Sequence, residues 1–163
     1  VAKSDCVSEP VIITGPILYY SGLNILFRRG NDNILRYTPI NTTVVNFTEN
    51  QLLIYSCILD FSTGNVLKEQ TDEYFYKDVV SASTKTESRI IDYIDANNKE
   101  VVSKLQLNSA ETFGITTSGG TSVSLILRDP EIIRHMGGGE LPTTNAENAI
   151  QVIRKLLRDK KNS

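Results

Sequence analysis

Thr112-Phe113-Gly114-Ile115-Thr116-Thr117 and Thr121-Ser122-Val123-Ser124-Leu125-Ile126-Leu127 are separated by Ser118-Gly119-Gly120. Apolar and polar residues alternate on both sides of the break, which is the period of a half-buried strand. Gly-Gly adopts the positive φ of the primed turns, whose twist matches that of paired strands. The stretch is a β-hairpin, and the same grammar recurs upstream. Residues 43–48 and 51–59 flank Glu49-Asn50, two polar residues between β-branched and aromatic runs. Ser62-Thr63-Gly64-Asn65 supplies the next turn, because Gly and Asn tolerate positive φ. An extended run follows over 66–76, bends at Lys77 and resumes over 78–83. Nearer the start, Asn31-Asp32-Asn33 parts apolar runs at 23–27 and 34–37. Residues 90–94 fit a helix or a strand. The turn residues Asp95-Ala96-Asn97-Asn98-Lys99 and the alternation through Val101, Ser103, Leu105 and Leu107 favour a strand.

One segment has the helical period instead. Ala146, Ala149, Ile150, Ile153, Leu156 and Leu157 fall on a single face. Thr144 with Glu147 forms a capping box, each side chain placed to satisfy the other residue's backbone N–H. Arg154, Lys155, Arg158, Lys160 and Lys161 crowd the C-terminal half, where cations complement the helix dipole. A helix with one apolar face must lie on something, and the sheet is the available surface.

The chain has 163 residues, enough for one domain with its own core. Its formal charge of −2 gives no global attraction to nucleic acid or to anionic membranes. The opening Val1-Ala2-Lys3-Ser4-Asp5 is not a charged leader followed by an apolar core, so cytoplasmic placement is expected. The absence of an initiator methionine leaves room for a removed leader or another domain. Cys57 sits in an apolar run and reads as a buried free thiol, while a single bridge to Cys6 is the alternative for an exported chain.

Val45-Asn46-Phe47-Thr48-Glu49-Asn50-Gln51-Leu52-Leu53-Ile54-Tyr55 resembles a hairpin of bacterial pleckstrin-homology-like (PH-like and GRAM-like) domains. Tyr74-Phe75-Tyr76-Lys77-Asp78-Val79-Val80-Ser81 resembles a later segment of the same families, with aromatic residues ahead of an acid and a short β-branched strand. The resemblance spans roughly residues 33–161 and rests on the order of the motifs. It implies a mainly β fold (α+β by count), a bent antiparallel β-barrel capped by one C-terminal amphipathic helix. The expected organisation is a single domain over 1–163, with extra N-terminal strands or an arm over 1–30. The barrel is expected over 31–128 and the capping helix over 143–161.

The resemblance also directs attention to Arg28, Arg29 and Arg36, since headgroup-binding PH domains carry basic residues on their first strands and the loop between them. If 23–29 and 34–37 are those strands, these arginines reach an anion or lipid headgroup. The preferred register puts Pro39-Ile40-Asn41-Thr42 in that loop, with no basic residue, and Asp60 in the next loop opposes an anion.

The other chemistry-bearing residues have plain readings. His135, the only histidine, is a general base beside Gly137-Gly138-Gly139 or a surface residue at a strand end. The second is expected, because no nucleophile motif stands near it. The glycines precede Glu140-Leu141-Pro142 rather than Lys-Ser/Thr, so a connector is expected and not a phosphate loop. Asp72 and Glu73 point to opposite faces of a strand, and Asp92 with Asp95 flanks a turn. All four read as solvated edge charges. Of Tyr74, Phe75 and Tyr76, at least one must face away from the core.

No catalytic set, metal site or cofactor is expected. The expected function is a non-enzymatic interaction module for a protein partner or a neighbouring domain of a longer chain, with an edge strand or the helix groove as its receiving surface. Peripheral binding of anionic lipid headgroups is the alternative, and an enzyme using His135 and the glycine loop is the last. Nucleic acid is not an expected partner, because no aromatic-basic platform accompanies the cations.

Overall fold

The computed structural model describes residues 8–17, 25–93, 103–120, 122–128, 130–142 and 144–161. Cys6 and the turn expected at 95–99 lie outside them, as does the side chain of His135. Among the described residues, nine strands and two α-helices follow in the order β1 (Val11–Pro16), β2 (Leu26–Arg29), β3 (Leu35–Thr38), β4 (Ile40–Phe47), β5 (Gln51–Asp60), β6 (Asn65–Phe75), β7 (Val79–Tyr93), β8 (Ser103–Thr117), β9 (Ser122–Arg128), α1 (Pro130–His135) and α2 (Ala146–Lys161). The fold is mainly β, with one long helix at its C-terminal end.

All pairings within the sheets are antiparallel. β1, β4, β5 and β6 form one sheet in that order, and β7, β8 and β9 form another. Among the described residues β2 and β3 pair with each other and with no other named strand. Among the described residues the strands therefore lie in three sheets rather than one closed ladder. Both hairpins anticipated at Glu49-Asn50 and Ser118-Gly119-Gly120 are present, as β4–β5 and β8–β9. The first begins three residues earlier than expected. Pro39-Ile40-Asn41-Thr42, anticipated as a loop, enters β4 at Ile40 because Ile40, Asn41 and Thr42 find ladder partners in both β1 and β5.

Alternation sets which face is buried. Val11 and Ile13 of β1, Val45 and Phe47 of β4, and Leu52 and Ile54 of β5 point to one side of the first sheet. They meet Phe113 and Ile115 of β8 and Leu125 and Leu127 of β9. α2 closes this core with Ala146, Ala149, Ile150, Ile153 and Leu157, the face its spacing specifies. Fully burying each such Leu, Ile or Phe side chain contributes about 1.5–3 kcal/mol.

The two large sheets come together at β1 and β9. A Cβ on Gly15 would stand 1.9 Å from the Ile126 carbonyl oxygen, so only a residue without a side chain permits this approach. At the opposite corner a single 3-10 turn, Tyr76–Asp78, carries the chain from β6 to β7, at the bend expected near Lys77. The Tyr76 hydroxyl donates to Thr48 O at 2.9 Å, and Ser118 N–H donates to Asp78 O at 2.8 Å, pinning that corner. Tyr76 is buried and Tyr74 packs on the core, which turns Phe75 outward.

α2 starts one residue later than the capping box places it. Thr144 Oγ1 accepts from Ala146 N–H at 3.5 Å, and Asn145 takes the boundary with φ +57°. His135, expected at a strand end, instead ends the helix α1 (Pro130–His135). Pro130 stands at its first position, where the missing N–H costs nothing. Its end is a Schellman cap: Gly138 N–H donates to Ile133 O at 2.8 Å and Gly137 N–H to Arg134 O at 3.1 Å, with Gly137 at φ +81°. The glycine run is thus a helix terminator and not a plain connector.

Candidate functional site

The hairpin β2–β3 carries the three arginines singled out from the sequence. Arg28 and Arg36 are direct cross-strand partners, so their side chains leave the same face. Arg36 makes a two-point pair with Asp32, Nη1 to Oδ1 at 3.0 Å and Nη2 to Oδ2 at 2.7 Å. That hydrogen-bonded guanidinium holds the Asp32 carboxyl well below the usual carboxylate range. Arg29 turns to the other face, where Nη1 donates to Gly137 O at 3.4 Å. All three arginines are exposed; Arg29 and Arg36 have partners within the chain, and Arg28 has no such bond among the described residues.

The same hairpin explains the glycine run. Leu35 N–H donates to Glu140 O at 2.7 Å and Glu140 N–H to Asn33 O at 2.9 Å, a short ladder between the hairpin and the segment after α1. Leu35 and Met136 are buried together, with Ile25, Tyr37, Ile133 and Leu141 around them. The arginines and the glycines, read separately in the sequence, form one structural unit: the Gly137 and Gly138 N–H groups cap α1, and the Gly137 carbonyl accepts from Arg29. Among the described residues no group of three His, Cys, Asp or Glu side chains is placed to hold a metal ion.

Asp60, read as a loop charge that would repel an anion, is 5% exposed and fully engaged. Ser62 Oγ and N–H donate to Oδ1 at 2.6 and 2.9 Å, Thr63 Oγ1 to Oδ2 at 2.9 Å and Thr38 Oγ1 to Oδ1 at 3.1 Å. Hydrogen bonds from Ser62 first, then Thr63 and Thr38, hold its carboxyl down at about 2. This carboxylate is a structural tie between the end of β3 and the β5–β6 turn.

A different surface has the shape to receive something. Between β7 and α2 lies a groove of about 900 Å³ lined by Val80, Val152 and Leu157 and rimmed by Arg154, Lys155 and Arg158. Val80 is 63% exposed although it stands in a strand beside the core. β7 is the outer strand of its sheet, so one side of its backbone faces away from the ladder. Arg154 Nε donates to Ala82 O at 3.2 Å, which fixes the helix against that edge. No carboxylate is among the described residues lining the groove, in a chain whose formal charge is −2. In the sequence these cations read as a dipole-matched helix end, with nucleic acid or membrane contact as the alternative. Their juxtaposition with Val80 depends on how the helix docks, and no local pattern encodes it.

No family model matches the chain, and no curated protein or solved structure matches it either. Its function must be argued from these surfaces.

Proposed function

We propose that the chain is a non-enzymatic PH-like interaction module. It receives an extended acidic segment, of a protein partner or of its own longer chain, in the groove between β7 and α2. The observation that carries this reading is the groove itself: an outer strand, β7, with Arg154 bonded to the Ala82 carbonyl on its edge, an apolar floor at Val80, Val152 and Leu157, and three cations on the rim. An extended peptide adds backbone hydrogen bonds to an open edge, and alternate side chains then fill the neighbouring groove. Like-signed rim charges select an acidic sequence and speed its encounter.

The order of elements supports the family resemblance. A meander of β1, β4, β5 and β6, a second of β7, β8 and β9, and then α2 is the sequence of parts in a PH-like domain. On this reading the β2–β3 hairpin is an insertion between the first two barrel strands. Anionic headgroup binding is the second reading, favoured by Arg28, which is exposed and lies on the same hairpin face as the exposed Leu26.

The test is nuclear magnetic resonance mapping with a synthetic peptide that alternates Glu and Val. Shifts concentrated on residues 79–86 and on α2 are expected, and the Lys-for-Glu counterpart should produce none. Shifts confined to the β2–β3 hairpin, or equal responses to both peptides, would overturn the proposal. Vesicles of anionic and of zwitterionic lipid address the second reading, which requires binding to the anionic set that falls with added salt.

A further inference from the structure

The inner face of the first sheet changes character along its length. Val45, Phe47, Leu52 and Ile54 are fully buried on it, yet the continuation of the same face carries Asn41 and Thr43 on β4, Ser56 on β5, and Gln70 and Asp72 on β6. These residues, with Lys68, line a cleft of about 280 Å³ that Val123 and Ser124 of β9 close from the far side. A surface meant only to extend the core would be apolar here. Departures of this kind mark positions retained for something other than folding.

The cleft is organised. The Oγ atoms of the cross-strand partners Thr43 and Ser56 lie 3.1 Å apart, and Thr43 is 2% exposed. Gln70 Nε2 donates to Asp72 Oδ2 at 2.9 Å, which orients the carboxylate and leaves it lone pairs to accept more. Lys68 arrives there through a β-bulge. Cys57 on β5 faces two residues of β6, Lys68 and Glu69, and Lys68 holds φ +49°. Glycine is the natural occupant of such a position, and bulges are a common way to re-aim a side chain toward a site. From the neighbouring bulge position, Glu69 accepts a hydrogen bond from the Tyr55 hydroxyl, which fastens the distortion. Among the described residues the Lys68 ammonium has no hydrogen-bond or ion-pair partner.

We propose that this cleft binds a small zwitterion, a free amino acid or a short peptide, with its carboxylate on Lys68 and its ammonium on Asp72. The lining holds one cation and one carboxylate, and the remaining polar groups are neutral hydroxyls, amides and the Cys57 thiol. It contains no aromatic ring, so it offers no stacking platform for a sugar or a base. Its volume falls just below the roughly 300–1,000 Å³ of pockets for drug-sized ligands, which suits a small metabolite. The site shares no residue with the groove at α2 and does not depend on it.

The test is a titration followed by nuclear magnetic resonance, with glycylglycine, alanine and γ-aminobutyrate as probes and glucose as the neutral comparison, each to about 10 mM, above a millimolar dissociation constant. Shifts at Thr43, Ser56, Gln70 and Asp72 with at least one zwitterion and none with glucose are expected. Asp72→Asn and Lys68→Gly should each weaken that response at least tenfold. Lys68→Gly keeps the test decisive, because glycine fits the backbone at this position and the variant should melt no lower than the parent. No shift with any zwitterion, an equal response to glucose, or binding unchanged in Lys68→Gly would overturn the proposal.

Discussion

Arg154 Nε and Ala82 O, 72 positions apart in the chain, lie 3.2 Å from each other. That bond holds the terminal helix against an outer strand, and with Val80 beside it the contact becomes a groove with an apolar floor. The architecture rests on a few contacts of this kind, and each makes a measurable demand.

The approach of β1 to β9 demands a glycine. Gly15→Ala would drive a Cβ to within 1.9 Å of the Ile126 carbonyl oxygen, and backbone on both sides cannot yield without moving the sheets apart. A loss of about 3 kcal/mol or more in urea unfolding is expected, the upper end of overpacking costs. Gly114→Ala is the matched control. Its new methyl would meet only Val123 O, at 3.5 Å, so a change within about 0.5 kcal/mol is expected.

Helix α2 should be coupled to the sheets through Ile153, which is fully buried among residues of the main core. Ile153→Ala is expected to cost about 2–5 kcal/mol, transfer and cavity together. Calorimetry should show one cooperative transition at a lower temperature. A separate early transition of the helix would show that it is docked only loosely.

Acid should weaken the protein through Asp60. Its folded pKa of about 2 lies below the ordinary 3.8, so the stabilisation is fully present above about pH 4 and is lost as pH falls through about 2. Denaturation midpoints should fall across that window, and Asp60→Asn should start lower and fall less. Asp32 shifts in the same direction, but its pair with Arg36 is exposed. Added salt should remove that share and leave the Asp60 slope in place.

Lys68 should prove a residue kept at the expense of stability. A left-handed backbone costs a side-chain-bearing residue roughly 1–2 kcal/mol, and glycine's extra freedom in the unfolded chain returns about 0.5–1 kcal/mol of that. Lys68→Gly is therefore expected to be about 0.5–1 kcal/mol more stable than the parent by denaturant titration.

Much of this fold was legible in the sequence, for local reasons. Ser118-Gly119-Gly120 and Glu49-Asn50 each sit between alternating runs, and the turn chemistry leaves little choice of register. The apolar face of α2 follows from spacing alone. β1 was harder, because Gly15-Pro16 looks like a break, and its partner β4 lies beyond the β2–β3 hairpin. α1 spans only six residues, too few to display a period. Pro130 at its start and Gly137 past its end were the signals that could have found it. The candidate surfaces depend on distant parts. Val80 meets Arg158 only after α2 docks, and Lys68 meets Asp72 across a bulge that no local pattern announces. The arginines were visible at once, but their partners, Asp32 and Gly137 O, were not.

The most direct test of the acidic-peptide groove is fluorescence anisotropy of the Glu/Val peptide with the parent and with a Lys155→Glu/Arg158→Glu variant. Both side chains are exposed, so the variant should fold and melt like the parent. The groove account predicts that the variant binds at least about tenfold more weakly, a difference of 1.4 kcal/mol, and that salt weakens the parent more than the variant. Equal affinity in the two proteins would contradict it.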